Sequence, residues 1–246
     1  SNSLDQIIKN NTQEVLLVFS FFLSIFNIYF LYNLFTLKNF FKEHYEDLSL
    51  FIISILLSLI LFFSIKNMSF VSTFANILSS VATSGITTSE NVSKDFSLYL
   101  LFITILGGSI ISNSSGIKFV RFYILLKSSF FKILKLVRPN NITNKYIFLS
   151  DKKINDEYIK ISFLIFISFF ISIFLLSGIL VNDNISFENS FKLSILTLTN
   201  TVSSELYGLN NIEFNNLLTS SKISIIIFMI IGKIELISVF LIIKKI

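Results

Sequence analysis

Residues 107–121 read Gly107-Gly108-Ser109-Ile110-Ile111-Ser112-Asn113-Ser114-Ser115-Gly116-Ile117-Lys118-Phe119-Val120-Arg121, and they interrupt an apolar run long enough to cross a bilayer. The run is apolar over residues 98–111, polar and small over 112–116, and apolar again over 117–126. Close helix packing explains Gly107 and Gly108. It does not explain Asn113, its flanking serines and Lys118 at membrane depth. A lysine there costs about 2.5–3.5 kcal/mol on insertion scales, so it is expected to face an aqueous path or a partner group.

Working outward, residues 15–37, 48–65, 159–181 and 223–243 are also long apolar runs. A span needs about 20 such residues, so the sequence predicts five crossings, the third of them broken. Composition agrees: 53% of residues are hydrophobic, 30 are Phe, and 14% are charged. Soluble domains carry roughly a quarter charged residues. There is no Cys, which excludes disulfides, thiolate metal sites and a cysteine nucleophile. The chain begins at Ser1 without Met or a signal-peptide layout, so a fragment of a longer protein is expected.

The net charge of +5 is a matter of topology. Nine Lys and Arg lie between Arg121 and Lys160, with Lys38 and Lys42 after the first crossing and Lys244 and Lys245 at the end. Five crossings put all three groups on one side, expected to be the cytoplasm. Nucleic acid is therefore not expected as a partner. The lone histidine, His44, sits beside Glu43 and Glu46 in a short charged connection and is expected to be a solvated surface residue. With no paired His, P-loop or HExxH pattern, neither an enzyme nor a redox subunit is expected.

Two segments, 69–81 and 186–199, are too short to span and mix Ser, Thr and Asn with apolar residues. Segments of 10–14 residues are often re-entrant, and non-helical backbone at that depth needs protein cover or a wet cavity. The order is then a span, followed twice by span, short helix and span. The first short helix runs into Thr83-Ser84-Gly85-Ile86. A glycine after a re-entrant helix lets successive carbonyls face a pore, where they replace a cation's hydration shell. A Ser/Thr-rich turn outside the membrane fits the same residues. In the last crossing, Lys233 and Glu235 are two apart and share no helix face. Each is expected to meet a pore, a carbonyl cluster or another helix.

Together, the run through Thr83-Ser84-Gly85-Ile86, the block 107–121 with its Gly-Ile-Lys-x-x-Arg ending, and Gly232-Lys233-Ile234-Glu235 resemble the Trk/Ktr/HKT potassium transporter superfamily, its TrkH-like members most closely. Members have four units of helix, pore helix and helix around one pore, each supplying one filter strand. The resemblance implies an all-α integral membrane fold with re-entrant filter loops, two of the four units being present here. Residues 1–47 match the closing helix of the second unit and a connection, 48–138 the third unit, 139–158 a cytoplasmic linker, and 159–246 the fourth unit.

The resemblance also implies roles. Thr83, Ser84, Gly85 and Ile86 fall on one filter strand, and Thr201, Val202 and Ser203 on another, with Ser203 where glycine is expected. Ser109, Ser112, Asn113, Ser114, Ser115 and Gly116 fall on a gating loop, followed by Lys118, and Lys233 lines the pore. The loop is poorer in glycine than in other members, and Ile86 stands where Phe is usual. The implied function is potassium uptake across a bacterial inner membrane, with potassium ion as substrate and no other cofactor. The implied partners are membrane lipid, a second copy in a homodimer, and a nucleotide-binding regulatory subunit of the TrkA kind. The basic connection 121–160 is a candidate dock for that subunit, although topology alone accounts for its charge. Sodium preference and a degenerate, non-conducting membrane subunit are the alternatives.

Overall fold

The computed structural model describes residues 11–27, 29–30, 32–33, 44–64, 70–86, 96–138, 154–183, 185–202, 207–209 and 217–233. Eight helices lie among them: α1 (Asn11–Ile25), α2 (Tyr45–Ser64), α3 (Phe70–Val81), α4 (Ser97–Leu106), α5 (Phe119–Val137), α6 (Asp156–Val181), α7 (Phe187–Leu198) and α8 (Thr219–Lys233). No strand occurs among the described residues.

Length sorts the helices. At 1.5 Å per residue, α2 with 20 residues and α6 with 26 are about 30 and 39 Å long, enough to cross a bilayer. α3 and α7, with 12 residues each, reach only about 18 Å. The short helices lie inside the protein. α3 packs against α1, α2 and α4, and α7 against α4, α6 and α8. Every residue from Lys192 to Leu198 is buried. Their hydroxyls bond backward to the helix's own carbonyls, as in Ser80 to Asn76 (3.0 Å), Ser194 to Ser190 (2.7 Å) and Thr197 to Leu193 (2.7 Å). Such bonds remove the cost of burying a Ser/Thr-rich helix.

The long helices have the polarity of lipid-facing elements. On α2, Ile52, Leu56, Ile60 and Phe63 are exposed while Ser54 and Ser58 are buried. On α6, Phe163, Leu164, Ile171 and Phe174 face outward while Ser162 and Ser177 face inward. Apolar surface on this scale is not tolerated in water, whereas small polar residues at helix contacts are the usual packing of a bilayer protein. The start of α6 is fixed by Asn155, whose side chain accepts the Asp156 N–H at 2.8 Å, and by Asp156 and Glu157 at the positive end of the helix dipole.

The third predicted crossing is broken as expected: α4 ends at Leu106, residues 107–118 are non-helical, and α5 begins at Phe119 and continues to Val137. The first differs from expectation. The run 15–37 is expected to be one helix, but α1 ends at Ile25, residues 26–27 are non-helical, and residues 29–30 and 32–33 are helical again. Asn27 there accepts the Tyr29 N–H at 3.0 Å, a local bond that competes with helix continuation. The last predicted crossing is described only to Lys233, and residues 234–246, including Glu235, lie outside the described residues.

Candidate functional site

α3 and α7 end in the same way. After α3, Thr83 N–H donates to Ser80 O (3.1 Å) and Ser84 N–H to Ser79 O (3.0 Å). After α7, Asn200 N–H donates to Thr197 O (3.1 Å) and Thr201 N–H to Leu196 O (2.9 Å). This nested pair of bonds is the left-handed closure of a helix C-terminus, which normally uses glycine. Here the left-handed residues are Thr83 (φ 54°) and Asn200 (φ 51°). A β-branched residue at such an angle is strained by about 1–2 kcal/mol. Surrounding bonds hold it: Thr83 Oγ1 accepts the Ser115 N–H at 3.1 Å, and Asn200 Nδ2 donates to Met229 O at 2.9 Å.

The matching bonds set a register. Thr83 pairs with Asn200, Ser84 with Thr201, and Gly85 with Val202. Ser203, the expected counterpart of Gly85, lies outside the described residues, and Val202 is the residue that stands two places after the left-handed closure of α7, as Gly85 does after that of α3. Gly85 has φ 72°, whereas Val202 does not enter the positive-φ region.

The two ends meet. Val202 N–H donates to Ser84 O at 3.3 Å. A Cβ on Gly85 would collide with Val202 O and lie 2.8 Å from Thr201 Cγ2. Behind them, the fully buried Tyr207 reaches Ser80 Oγ with its hydroxyl at 3.4 Å, and the Lys192 ammonium holds Gly208 O at 3.2 Å and Glu188 Oε1 at 2.6 Å. Ser79 Oγ fixes the first strand by donating to Ile86 O at 2.6 Å and contacting Ser84 Oγ at 2.8 Å. Two helix C-termini thus point their partial negative charge at one place, an arrangement suited to a cation.

The 107–118 loop lies against this junction through the Ser115–Thr83 bond. Inside it, Ser114 Oγ accepts the Gly108 N–H at 2.7 Å, and Ser112 Oγ donates to Ser109 O at 2.7 Å. The buried Lys118 folds back, donating to Ser112 O at 3.1 Å and Ser114 O at 2.5 Å. Its partner is therefore the loop's own carbonyls. From α8, Lys233 donates to Asn113 O at 2.6 Å, which brings together two features separated by more than a hundred residues.

The predicted solvated histidine is buried. His44 is 5% exposed, with Nδ1 3.6 Å from Asp47 Oδ2, Nε2 2.9 Å from Asn33 Nδ2, and its ring edge-on to Phe30. Its charged sequence neighbours point to solvent, but the fold presses this connection against Phe30 and Asn33, beyond the end of α1. Among the described residues, no group of three or more His, Cys, Asp or Glu is placed to hold a metal.

This chain is similar in structure to the potassium transporter TrkH from Vibrio parahaemolyticus, with a TM-score of 0.80 and 17% sequence identity over 96% of this chain and 52% of that one. It spans about half the length of the solved transporter and has the fold of half of a TrkH-like protein. No protein-family model and no curated protein sequence matches it. The fold, the long apolar helices and their lipid-facing polarity make the chain a membrane protein.

Proposed function

We propose that this chain forms half of a pore that admits a monovalent cation, potassium by preference, into the cell, with the remaining wall supplied by further units of the same kind. The observation that carries the reading is the convergence of the α3 and α7 C-termini in matching left-handed closures beside Gly85. Carbonyls of Ser84 and Gly85 after α3, and of the paired Thr201 and Val202 after α7, are the proposed cation ligands. The third unit spans residues 48–138 and the fourth 159–246, on either side of a cytoplasmic linker.

In this reading the 107–118 loop is the gate. Lys233, bonded to Asn113 O, places a fixed positive charge beside it. A cation passing the filter meets that ammonium unless the loop and α8 move apart. A nucleotide-binding regulatory subunit of the TrkA kind is the proposed driver of that motion, docking on the basic cytoplasmic connection, and a homodimer in the bacterial inner membrane is the proposed assembly. No chemical step is involved.

Val202 motivates a second reading. In this conformation its N–H occupies Ser84 O, a carbonyl that a conducting filter turns toward the ion. A permanently closed, non-conducting subunit, structural or regulatory, fits that bond. Expression of the full-length gene in a potassium-uptake-deficient strain separates the two. Growth on low potassium with rubidium uptake supports the pore; good membrane expression with neither supports the closed subunit.

A further inference from the structure

We propose that Glu46 is a positioning residue for the 107–118 loop: its carboxylate anchors the edge of the loop remote from Thr83, and so sets the loop's resting place. The inference deepens the gate reading above and rests on it for its functional consequence. Glu46 Oε1 accepts the Ile110 N–H at 2.7 Å. The neighbouring Ser109 N–H donates to Ile25 O, at the end of α1, at 3.1 Å. Gly108 is pressed so close to α1 that a Cβ there would lie 2.6 Å from Ile25 O.

The anchor is itself held in place. Asp47, next to Glu46 and 2% exposed, accepts the Asn27 N–H at 3.0 Å and faces His44 Nδ1. The end of α1, the first turn of α2 and residues 108–110 therefore form one bonded block. Glu46 stands in the first turn of α2, where the helix dipole favours an anion. Three consecutive loop residues thus meet this block, while Ser115 meets the turn after α3. The Ile110 N–H lies in an exposed part of the loop. Release therefore frees the loop edge without stranding a buried donor, as a movable gate requires.

The full-length protein in proteoliposomes tests this with Glu46→Ala and Glu46→Gln, Gln keeping an acceptor oxygen at the same reach. Hydrogen–deuterium exchange of a peptide covering 107–118 is expected to quicken about tenfold in E46A, the scale of one lost hydrogen bond. Peptides from α3 and α7 should not change, and E46Q should stay within a fewfold of wild type. Rubidium uptake is expected to rise in maximal rate in E46A with an unchanged half-saturation concentration, since the filter is untouched. Unchanged exchange in E46A, or equal quickening in E46Q and E46A, overturns the proposal. If the wild type carries no rubidium, the pore reading fails while exchange still decides the role of Glu46.

Discussion

Ser115, in the loop between α4 and α5, donates its backbone N–H to the Thr83 hydroxyl at 3.1 Å, and the bond is buried. Thr83 is also the left-handed residue that closes α3. One side chain therefore serves the turn that aims the carbonyls and the loop lying beside them. Movement of the loop away from the junction must break this bond, so the gate and the filter are mechanically linked in the proposed pore.

Removing the acceptor tests that link. Thr83→Val keeps the shape but leaves the Ser115 N–H buried and unpaired, a cost of about 1–3 kcal/mol. Thr83→Ser keeps the hydroxyl and should be tolerated. The expected result is a lower unfolding midpoint in detergent and a weaker preference for potassium over sodium in T83V, with neither change in T83S. Equal behaviour of the two variants would show that the hydroxyl does not couple the loop to the turn.

Gly85 and Val202 make opposite predictions at paired positions. Any Cβ on Gly85 meets Val202 O, with Val202 N only 2.9 Å away, at a φ that disfavours side chains. Gly85→Ala should therefore cost about 1–3 kcal/mol and abolish uptake. Val202→Gly restores the backbone freedom that Gly85 already has and should raise rubidium flux. If V202G is silent while G85A abolishes uptake, the second strand does not limit conduction.

How legible this was in the sequence depends on what kind of signal each residue leaves. The two short helices and the break at 107–118 were legible, because hydropathy and length record what a bilayer demands. The end of α1 at Ile25 was not: Asn27 is one polar residue in an apolar run, and its effect lies in a local bond that hydropathy does not weigh. The register of Val202 was hidden because helix closure normally leaves a glycine, and here Thr83 and Asn200 take its place. The anchors Glu46 and Asp47 were hidden for a different reason. Their partners, Ile110 and Asn27, offer backbone N–H groups, which every residue but proline carries and no pattern can reveal.

Lys192 and Glu188 should separate in their effects although they are bonded to each other. The Glu188 side chain is largely exposed, so Glu188→Gln should leave the unfolding midpoint nearly unchanged. Lys192 is buried and also holds Gly208 O behind the strand. Lys192→Met leaves that carbonyl without the ammonium and should loosen the 207–209 segment, read as faster hydrogen exchange there and a lower unfolding midpoint. Equal effects from both variants would place the value of Lys192 in the ion pair alone.

Lys233 tests the proposed gate from α8. Its ammonium reaches Asn113 O only because Gly232, one residue earlier, lets α8 lie directly on the end of α7, where a Cβ would collide with Leu198 O. Gly232→Ala should therefore push α8 away and weaken the Lys233 bond without removing the charge. Lys233→Met removes both, and Lys233→Arg keeps both. If the ammonium obstructs the path and the bond holds the loop, rubidium uptake should be fastest and least regulated in K233M, intermediate in G232A, and near wild type in K233R. Unchanged flux and regulation in K233M, with normal expression, would assign Lys233 to packing and leave the loop to be held by Glu46 and Thr83.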